Sequence, residues 1–189
     1  MVVTAPARHR FTADQWDRLG RSGIFDDGDR VELIEGEIVD MTPIGARHAA
    51  CVKRLNQLFG RQVLDRFLVS IQDPVRLSAW SEPLPDVALL VARDDFYAAA
   101  KPGPADVLLV VEVADSTVDY DRGPKATLYA QAGIPECWVV DLVAGQVIVL
   151  TDPGPDGYRT EAVRRSGDVL APAGVPGTTV PVASLLGLG

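Results

Sequence analysis

Continuous runs of apolar residues dominate the middle of the chain and predict strands that are buried on both faces. The clearest runs cover residues 86–91, 107–113, 137–142 and 146–150. Pro and Gly occur between them, which is typical of short apolar runs that form strands rather than helices. Further strands are predicted at residues 31–35, 37–41, 67–71, 75–77 and 158–163, the first two as a hairpin around Gly36.

Three segments show the signals of helices instead. Thr12 is a good N-cap for a short first helix. A helix of about 18 residues opens near Gly45, because apolar positions recur there at helical spacing. Its predicted apolar face carries His48, Val52, Leu55 and Phe59. A third helix is predicted at residues 123–132. The order of strands and helices predicts an α/β fold with a mixed central sheet flanked by helices.

The size and composition of the chain fit one globular domain. It has 189 residues, of which 47% are hydrophobic and 23% charged, enough to bury a substantial core. Residues 1–10 are predicted to be an N-terminal arm, and residues 11–189 a single domain. The tail from Ala171 is rich in Pro and Gly, but residues 182–188 carry apolar positions that can dock on the body.

The formal net charge of −8 changes the expected function classes. It disfavours a generic nucleic-acid binder, which would usually present a basic patch. It does not exclude a nuclease, since a bound divalent cation reverses the local charge of a carboxylate-lined cleft. The N-terminal residues lack the apolar core of a signal peptide, and no apolar run approaches the length of a membrane span. We therefore expect a cytoplasmic protein without membrane contact.

Candidate chemistry begins with Glu112, a single carboxylate within the apolar strand 107–113. A buried charge without a partner is strongly disfavoured, so such a group is paired or binds a metal. Asp86 opens the preceding apolar strand, and Lys125 lies on the apolar stripe of the third helix together with Tyr129. Two interpretations stay open at this point: a metal-dependent hydrolytic site, or a structural salt bridge between Glu112 and Lys125.

Magnesium is the metal that such a site would favour, because it is a hard cation that prefers oxygen ligands. Asp86 and Glu112 would be its ligands, and Mn²⁺ is a plausible substitute. A metal-bound water is a better nucleophile, and the cation stabilises charge on an attacked phosphate. Lys125 would orient or deprotonate that water, or stabilise the developing negative charge.

Five segments of the chain resemble the Uma2 family of restriction-endonuclease-like proteins, within the wider PD-(D/E)XK nuclease superfamily. They are VELIEGEIVDMTP (31–43), the helix that begins near His48, PLPDVALLV (83–91), VVEVADST (110–117) and YDRGPKATLYAQAGIPECWVVD (120–141). The resemblance implies a restriction-endonuclease-like fold, a magnesium site and DNA as the substrate. A homodimer is also expected, because nucleases of this kind often pair two sites to cut two strands.

The resemblance assigns roles residue by residue. Asp86 and Glu112 match the two acidic motif residues and Lys125 the motif lysine, which this family carries on the helix. That placement agrees with Ala114, which stands where a strand lysine would otherwise be. Two departures are Asp115-Ser116, where the family often has Ser-Pro, and Pro124 immediately before the lysine.

Three supporting residues complete the prediction: Glu32, His48 and Tyr129. Glu32 is either a site carboxylate or a solvent-facing residue of its strand, and His48 is either a site residue or a core histidine. The leading hypothesis is a magnesium-dependent endonuclease that acts on DNA. The alternatives are a non-catalytic binding or assembly module that keeps a nuclease fold, and a carboxylate-based hydrolase of a substrate other than nucleic acid.

Overall fold

The computed structural model of the protein describes residues 8–26, 28–62 and 66–188. No helix in these ranges combines the length and the apolar character needed to cross a membrane. The helices are α1 (Ala13–Arg21), α2 (Ala46–Gly60), α3 (Val118–Tyr120), α4 (Ala126–Gln131) and α5 (Val182–Leu186). The strands are β1 (Val31–Ile34), β2 (Glu37–Asp40), β3 (Phe67–Ile71), β4 (Val87–Val91), β5 (Val107–Ala114), β6 (Glu136–Asp141), β7 (Gln146–Gly154), β8 (Gly157–Arg165), β9 (Val169–Leu170) and β10 (Val180–Pro181).

A six-stranded sheet with the order β3-β4-β5-β6-β7-β8 forms the centre of the molecule. The β5–β6 pair is parallel, and the other neighbours are antiparallel, so the sheet is mixed. A parallel pair needs a crossover connection, and the helical segment from α3 to α4 supplies it here. This architecture confirms the predicted α/β fold with a mixed central sheet flanked by helices.

Each face of the sheet buries its own hydrophobic core. Alternate residues of β5 point to opposite faces, so Val111 joins the core under α2 and α5, while Val110 and Ala114 join the core under α4. Glu112 therefore lies on the α4 face with Val110 and Ala114, as the period of two predicts. The predicted docking of the C-terminal tail is also confirmed, because Leu185 of α5 is fully buried in the first core.

The predicted strand at residues 75–77 is wrong. Val75 and Leu77 donate backbone hydrogen bonds to Pro83 and Ser81 within a loop, and they pair with no strand of the described sheet. Both side chains are nevertheless buried in the core under α4. The alternation of apolar and polar residues reflected burial of Val75 and Leu77, and a loop can bury side chains as well as a strand can when its backbone groups find partners.

Several boundaries differ from the prediction. The helix near Gly45 has 15 residues, because it begins at Ala46 with Gly45 as its N-cap. Helical structure before Lys125 starts at Val118 rather than at residue 123, and β7 and β8 extend well beyond the predicted strands into a long hairpin. The predicted N-terminal arm lies mostly outside the described residues, which begin at Arg8.

Candidate functional site

Asp86 and Glu112 meet where β4 and β5 run side by side. Val87, the first residue of β4, pairs with Val111 of β5. Asp86 immediately precedes β4 and lies beside Val113. The Val113 backbone N–H donates a hydrogen bond of 2.9 Å to Asp86 Oδ2, in the place where a strand carbonyl would otherwise accept it. The antiparallel register therefore brings together two carboxylates that are 26 positions apart in the sequence (112 − 86).

Asp86 is held by three donors in all. His48 Nε2 of α2 lies 2.9 Å from Asp86 Oδ2, and the Gln72 side-chain amide donates to Oδ1 over 3.0 Å. Burial alone raises the pKa of Asp86, but His48, Val113 and Gln72 together hold that pKa below its ordinary value. Asp86 is thus ionised and fixed in orientation at neutral pH. His48 lines the cavity and contacts this carboxylate, so it is a candidate site residue and not only a core residue.

Glu112 contacts the two residues predicted on the third helix. The Tyr129 hydroxyl donates a hydrogen bond of 2.6 Å to Glu112 Oε1, and Lys125 Nζ lies 3.2 Å from the same oxygen. Burial raises the pKa of Glu112 to about 8, with Asp86 and Asp121 adding to the rise and Lys125 opposing it. Glu112 therefore keeps its proton to a higher pH than an ordinary glutamate does.

Glu32 reaches the same cluster from the β1–β2 hairpin. Its Oε2 lies 3.3 Å from Lys125 Nζ and accepts a hydrogen bond of 3.1 Å from the Leu84 backbone N–H. The side chain is only 3% exposed. Of the two alternatives for Glu32, the solvent-facing one is excluded, because this carboxylate is buried against Lys125.

Lys125 owes its position to an irregular turn of the helix. Residues 121–125 form a single π-helical turn, in which the Ala126 N–H donates to the Asp121 carbonyl. Pro124 lies inside this turn; a proline has no N–H and its ring collides with the carbonyl four residues earlier in a regular α-helix. A wider turn relieves that collision, and such turns occur often at functional sites. Pro124 therefore does not end the helix but widens it directly before the lysine.

The charge on Lys125 is fixed by its surroundings. Burial alone lowers the pKa of this ammonium, but the carboxylates of Glu112 and Glu32, followed by Asp121 and Asp86, outweigh burial and raise the pKa above its ordinary value. Lys125 is therefore protonated at physiological pH in the metal-free site. An ammonium in this position suits two of the predicted roles, orienting a water and stabilising negative charge.

Asp121 is a site residue to which the sequence assigned no role. It is 6% exposed, lines the same cavity and accepts a hydrogen bond from the Thr117 hydroxyl. Burial raises its pKa, with Asp86 and Glu32 adding to the rise while Thr117 and Lys125 oppose it. Its position four residues before Lys125 was a usable signal, because residues at that spacing share a helix face.

The cluster lies at the floor of a cavity of about 320 Å³. Its walls are the β1–β2 hairpin with the segment that follows it, the start of α2, and the segment from Asp115 to Asp121. Glu32, Asp86, Glu112 and Asp121 all line it, against Lys125 as the cation at the floor. Carboxylates thus outnumber the lysine, which a balanced structural salt bridge would not require.

The oxygen donors of the cavity suit magnesium better than a metal that needs a complete cage of protein ligands. The described residues contain no group of three or more His, Cys, Asp and Glu side chains arranged to hold a metal. Magnesium does not need one, because it keeps several waters and is usually bound through one or two carboxylates together with substrate phosphates. Asp86 and Glu112, two hard oxygen donors in a cavity with excess negative charge, fit that pattern.

The fold is that of a nuclease-like α/β protein, and the comparisons with known proteins agree. The family model of Uma2, described as "Putative restriction endonuclease", matches residues 13–183. The chain therefore belongs to the Uma2 family. No curated protein is significantly similar to it.

Among solved structures, the chain is similar to one from Anabaena variabilis ATCC 29413, described as "a putative nuclease belonging to DUF820". The TM-score is 0.67 at 14% sequence identity, and the match covers 94% of this chain and 98% of the other. At that identity the likeness shows the fold alone: the two chains share one α/β architecture over nearly their whole lengths.

Proposed function

We propose that this protein is a magnesium-dependent endonuclease that hydrolyses phosphodiester bonds of DNA, with Asp86, Glu112 and Lys125 as its catalytic residues. The observation that supports this best is the buried cluster itself. A fixed, ionised Asp86 and a Glu112 of raised pKa line one cavity with a protonated Lys125. Perturbed carboxylates and a lysine gathered in a cavity are typical of functional sites.

Asp86 and Glu112 would hold the magnesium ion. When bound, the ion would lower the pKa of a water and neutralise charge on the phosphate. Attack of water on phosphorus forms one P–O bond and breaks another, which leaves a phosphate on one fragment and a hydroxyl on the other. Lys125 would stabilise the negative charge that develops on the phosphate oxygens, since an ammonium in a water-poor site is a strong electrostatic partner.

The supporting residues would keep these groups in place. His48 orients Asp86, while Tyr129 and Glu32 fix Glu112 and Lys125. All three act through contacts within the protein and not on the substrate. Their role is preorganisation, which contributes because groups already in position need not reorganise during the reaction.

The test is nicking of supercoiled plasmid DNA in the presence of Mg²⁺ or Mn²⁺. We expect wild type to convert the plasmid, and Asp86→Asn and Glu112→Gln to lose at least about a hundredfold in rate, in line with the loss of an essential electrostatic group. Asp152→Asn is the matched control, because Asp152 is a surface carboxylate on β7 paired with Arg159. Equal activity of wild type and the two site variants would overturn the proposal.

A non-catalytic binding module is the second candidate, and the net charge of −8 favours it. Isothermal titration calorimetry with Mg²⁺ and Mn²⁺ separates the two. The nuclease should bind the ion in a manner that Asp86→Asn abolishes, whereas a module without a metal centre should give no heat in either form. A homodimer and a cytoplasmic location stay predictions; sedimentation equilibrium of the purified chain tests the first.

A further inference from the structure

The reactive groups of this protein lie deep below its surface. Lys125 is 4% exposed, Glu112 2% and Asp86 6%. The end of β2 and the segment after it form one wall above them, with Val39 and Met41 among the lining residues, and the loop after β5 forms another. A phosphodiester group must pass between these walls before it can reach the carboxylates.

The cavity has a volume of about 320 Å³, and the charged groups that line it are almost fully buried. The backbone of a rigid duplex follows a fixed path, so one of its phosphates can reach that depth only if the duplex bends or opens. A single strand that has left its partner can place one nucleotide unit inside, as enzymes do that act on extruded or unpaired nucleotides.

Tyr120 adds an aromatic surface to this cavity. It lies on the wall formed by the segment from Asp115 to Asp121, and its side chain is partly exposed. Aromatic side chains in single-strand binding sites stack on bases, whose faces are free only when the strand is unpaired. In a duplex those faces are covered by the neighbouring base pairs. Tyr120 therefore suits an unpaired base better than a paired one.

The charge distribution of the protein also favours a single strand over a duplex. Arg30 lines the cavity from the side of the β1–β2 hairpin and is partly exposed. Its guanidinium donates one hydrogen bond of 3.2 Å to the Thr42 carbonyl and keeps further N–H groups that can bind a phosphate. The chain as a whole carries a net charge of −8. Duplex binding without base readout depends on many phosphate contacts to a basic surface. A short contact with one strand needs few of them.

We propose that the cavity accepts an unpaired DNA strand, with Tyr120 stacking on a base beside the scissile phosphate and Arg30 binding a neighbouring phosphate. This inference rests on the proposed nuclease function, since it names the substrate class of the same site. It predicts a preference for single-stranded regions over intact duplex.

The first experiment compares cleavage of one labelled oligodeoxynucleotide as a single strand and as a blunt duplex, with Mn²⁺. We expect the single strand to be cut at least about tenfold faster. Equal or faster cutting of the duplex would overturn the substrate class while leaving the nuclease function in place. If neither form is cut and Asp86→Asn behaves like wild type, the nuclease function fails. A binding experiment then decides whether the cavity accepts a single strand.

The second experiment measures binding of the same two DNA forms by fluorescence anisotropy, with Ca²⁺ and without a divalent ion. Tyr120→Ala should weaken binding of the single strand by about 5- to 150-fold, the range that corresponds to the loss of one base–aromatic stack. Tyr120→Phe should stay within about twofold of wild type, because it keeps the ring. Arg30→Gln should reduce both the affinity and its dependence on salt.

Phe96→Ala is the matched control, since Phe96 is 74% exposed and follows the end of β4 opposite to Asp86. It should leave binding unchanged. Circular dichroism of each variant checks that the fold is intact. Single-strand affinity of Tyr120→Ala equal to that of wild type, or tighter binding of the duplex by wild type, would contradict the inference.

Discussion

At the scale of single residues, Glu112 is the group that departs most from its ordinary behaviour. It is a carboxylate on an otherwise apolar strand, and its pKa rises from 4.5 to about 8 because burial disfavours its charged form. Lys125 offsets part of that cost at 3.2 Å, but Asp86 and Asp121 add negative charge nearby. Ionisation of Glu112 is therefore unfavourable in the metal-free site, and a bound cation would make it more favourable.

The raised pKa of Glu112 predicts that the metal-free protein loses stability with rising pH. Between about pH 4.5 and 8 the folded state holds the Glu112 proton more tightly than the unfolded chain does, so the free energy of unfolding falls as the pH rises through that window. The lowered pKa of Asp86 acts only in more acidic solution. Thermal unfolding in EDTA should therefore give a lower Tm at pH 9 than at pH 6.

Glu112→Gln should reduce that decline, since the amide cannot ionise. At pH 9 we expect its Tm to exceed that of wild type by at least about 2–4 °C, which corresponds to about 1 kcal/mol for a chain of this size. Asp152→Asn should follow the wild-type profile. A Glu112→Gln profile parallel to wild type would show that Glu112 does not titrate in this range.

At the scale of secondary-structure elements, the π-helical turn decides where the lysine points. A regular α-helix would rotate Lys125 about its axis relative to α4, whose Tyr129 contacts Glu112. The turn also aligns Asp121 with the same cavity. Pro124 thus influences the geometry of the cluster, because it widens the helix directly before Lys125.

Pro124→Ala tests that link. Alanine permits a regular α-helix, so we expect the turn to relax and Lys125 to shift away from Glu112 and Glu32. Nicking activity should fall about tenfold or more, while the Tm changes by only a few degrees, since alanine favours a helix interior. Pro155→Ala, in the turn between β7 and β8, is the control. Unchanged activity of Pro124→Ala would show that the turn does not depend on the proline.

At the scale of the whole molecule, the C-terminal tail is part of the core. Leu185 of α5 packs under the sheet, and the Arg54 guanidinium of α2 donates to its carbonyl over 2.8 Å. The N-terminal helix is also attached to the body, because Arg76 and Lys101 each form salt bridges with both Asp17 of α1 and the buried Glu82. We propose on this basis that residues 11–189 unfold as one unit.

Leu185→Ala should therefore destabilise the entire domain and not only its tail. Loss of a buried leucine costs about 2–5 kcal/mol, and the unfolding transition should stay single when followed by fluorescence and by circular dichroism. Leu188→Ala, at a position that is 62% exposed, should change the stability little. Two separate transitions in Leu185→Ala would contradict a single domain.

Much of the fold and part of the candidate site could be predicted from local patterns. Periodicity of two placed Glu112 with Val110 and Ala114, and helical spacing placed Lys125 with Tyr129, because both rules depend only on backbone geometry. The same rules failed at Val75 and Leu77, whose side chains are buried although the segment does not pair as a strand. Alternating apolar residues predict burial, but they do not by themselves predict strand pairing.

The sequence by itself determined most strands of the central sheet and which side chains share a face, since those follow from the local backbone. Only the tertiary structure brought Glu32 and His48 to the candidate site. Glu32 contacts Leu84, 52 positions away, and His48 contacts Asp86, 38 positions away. The charge states of Glu112 and Lys125 were settled there too, because burial and the sum of surrounding charges exist only in the folded chain.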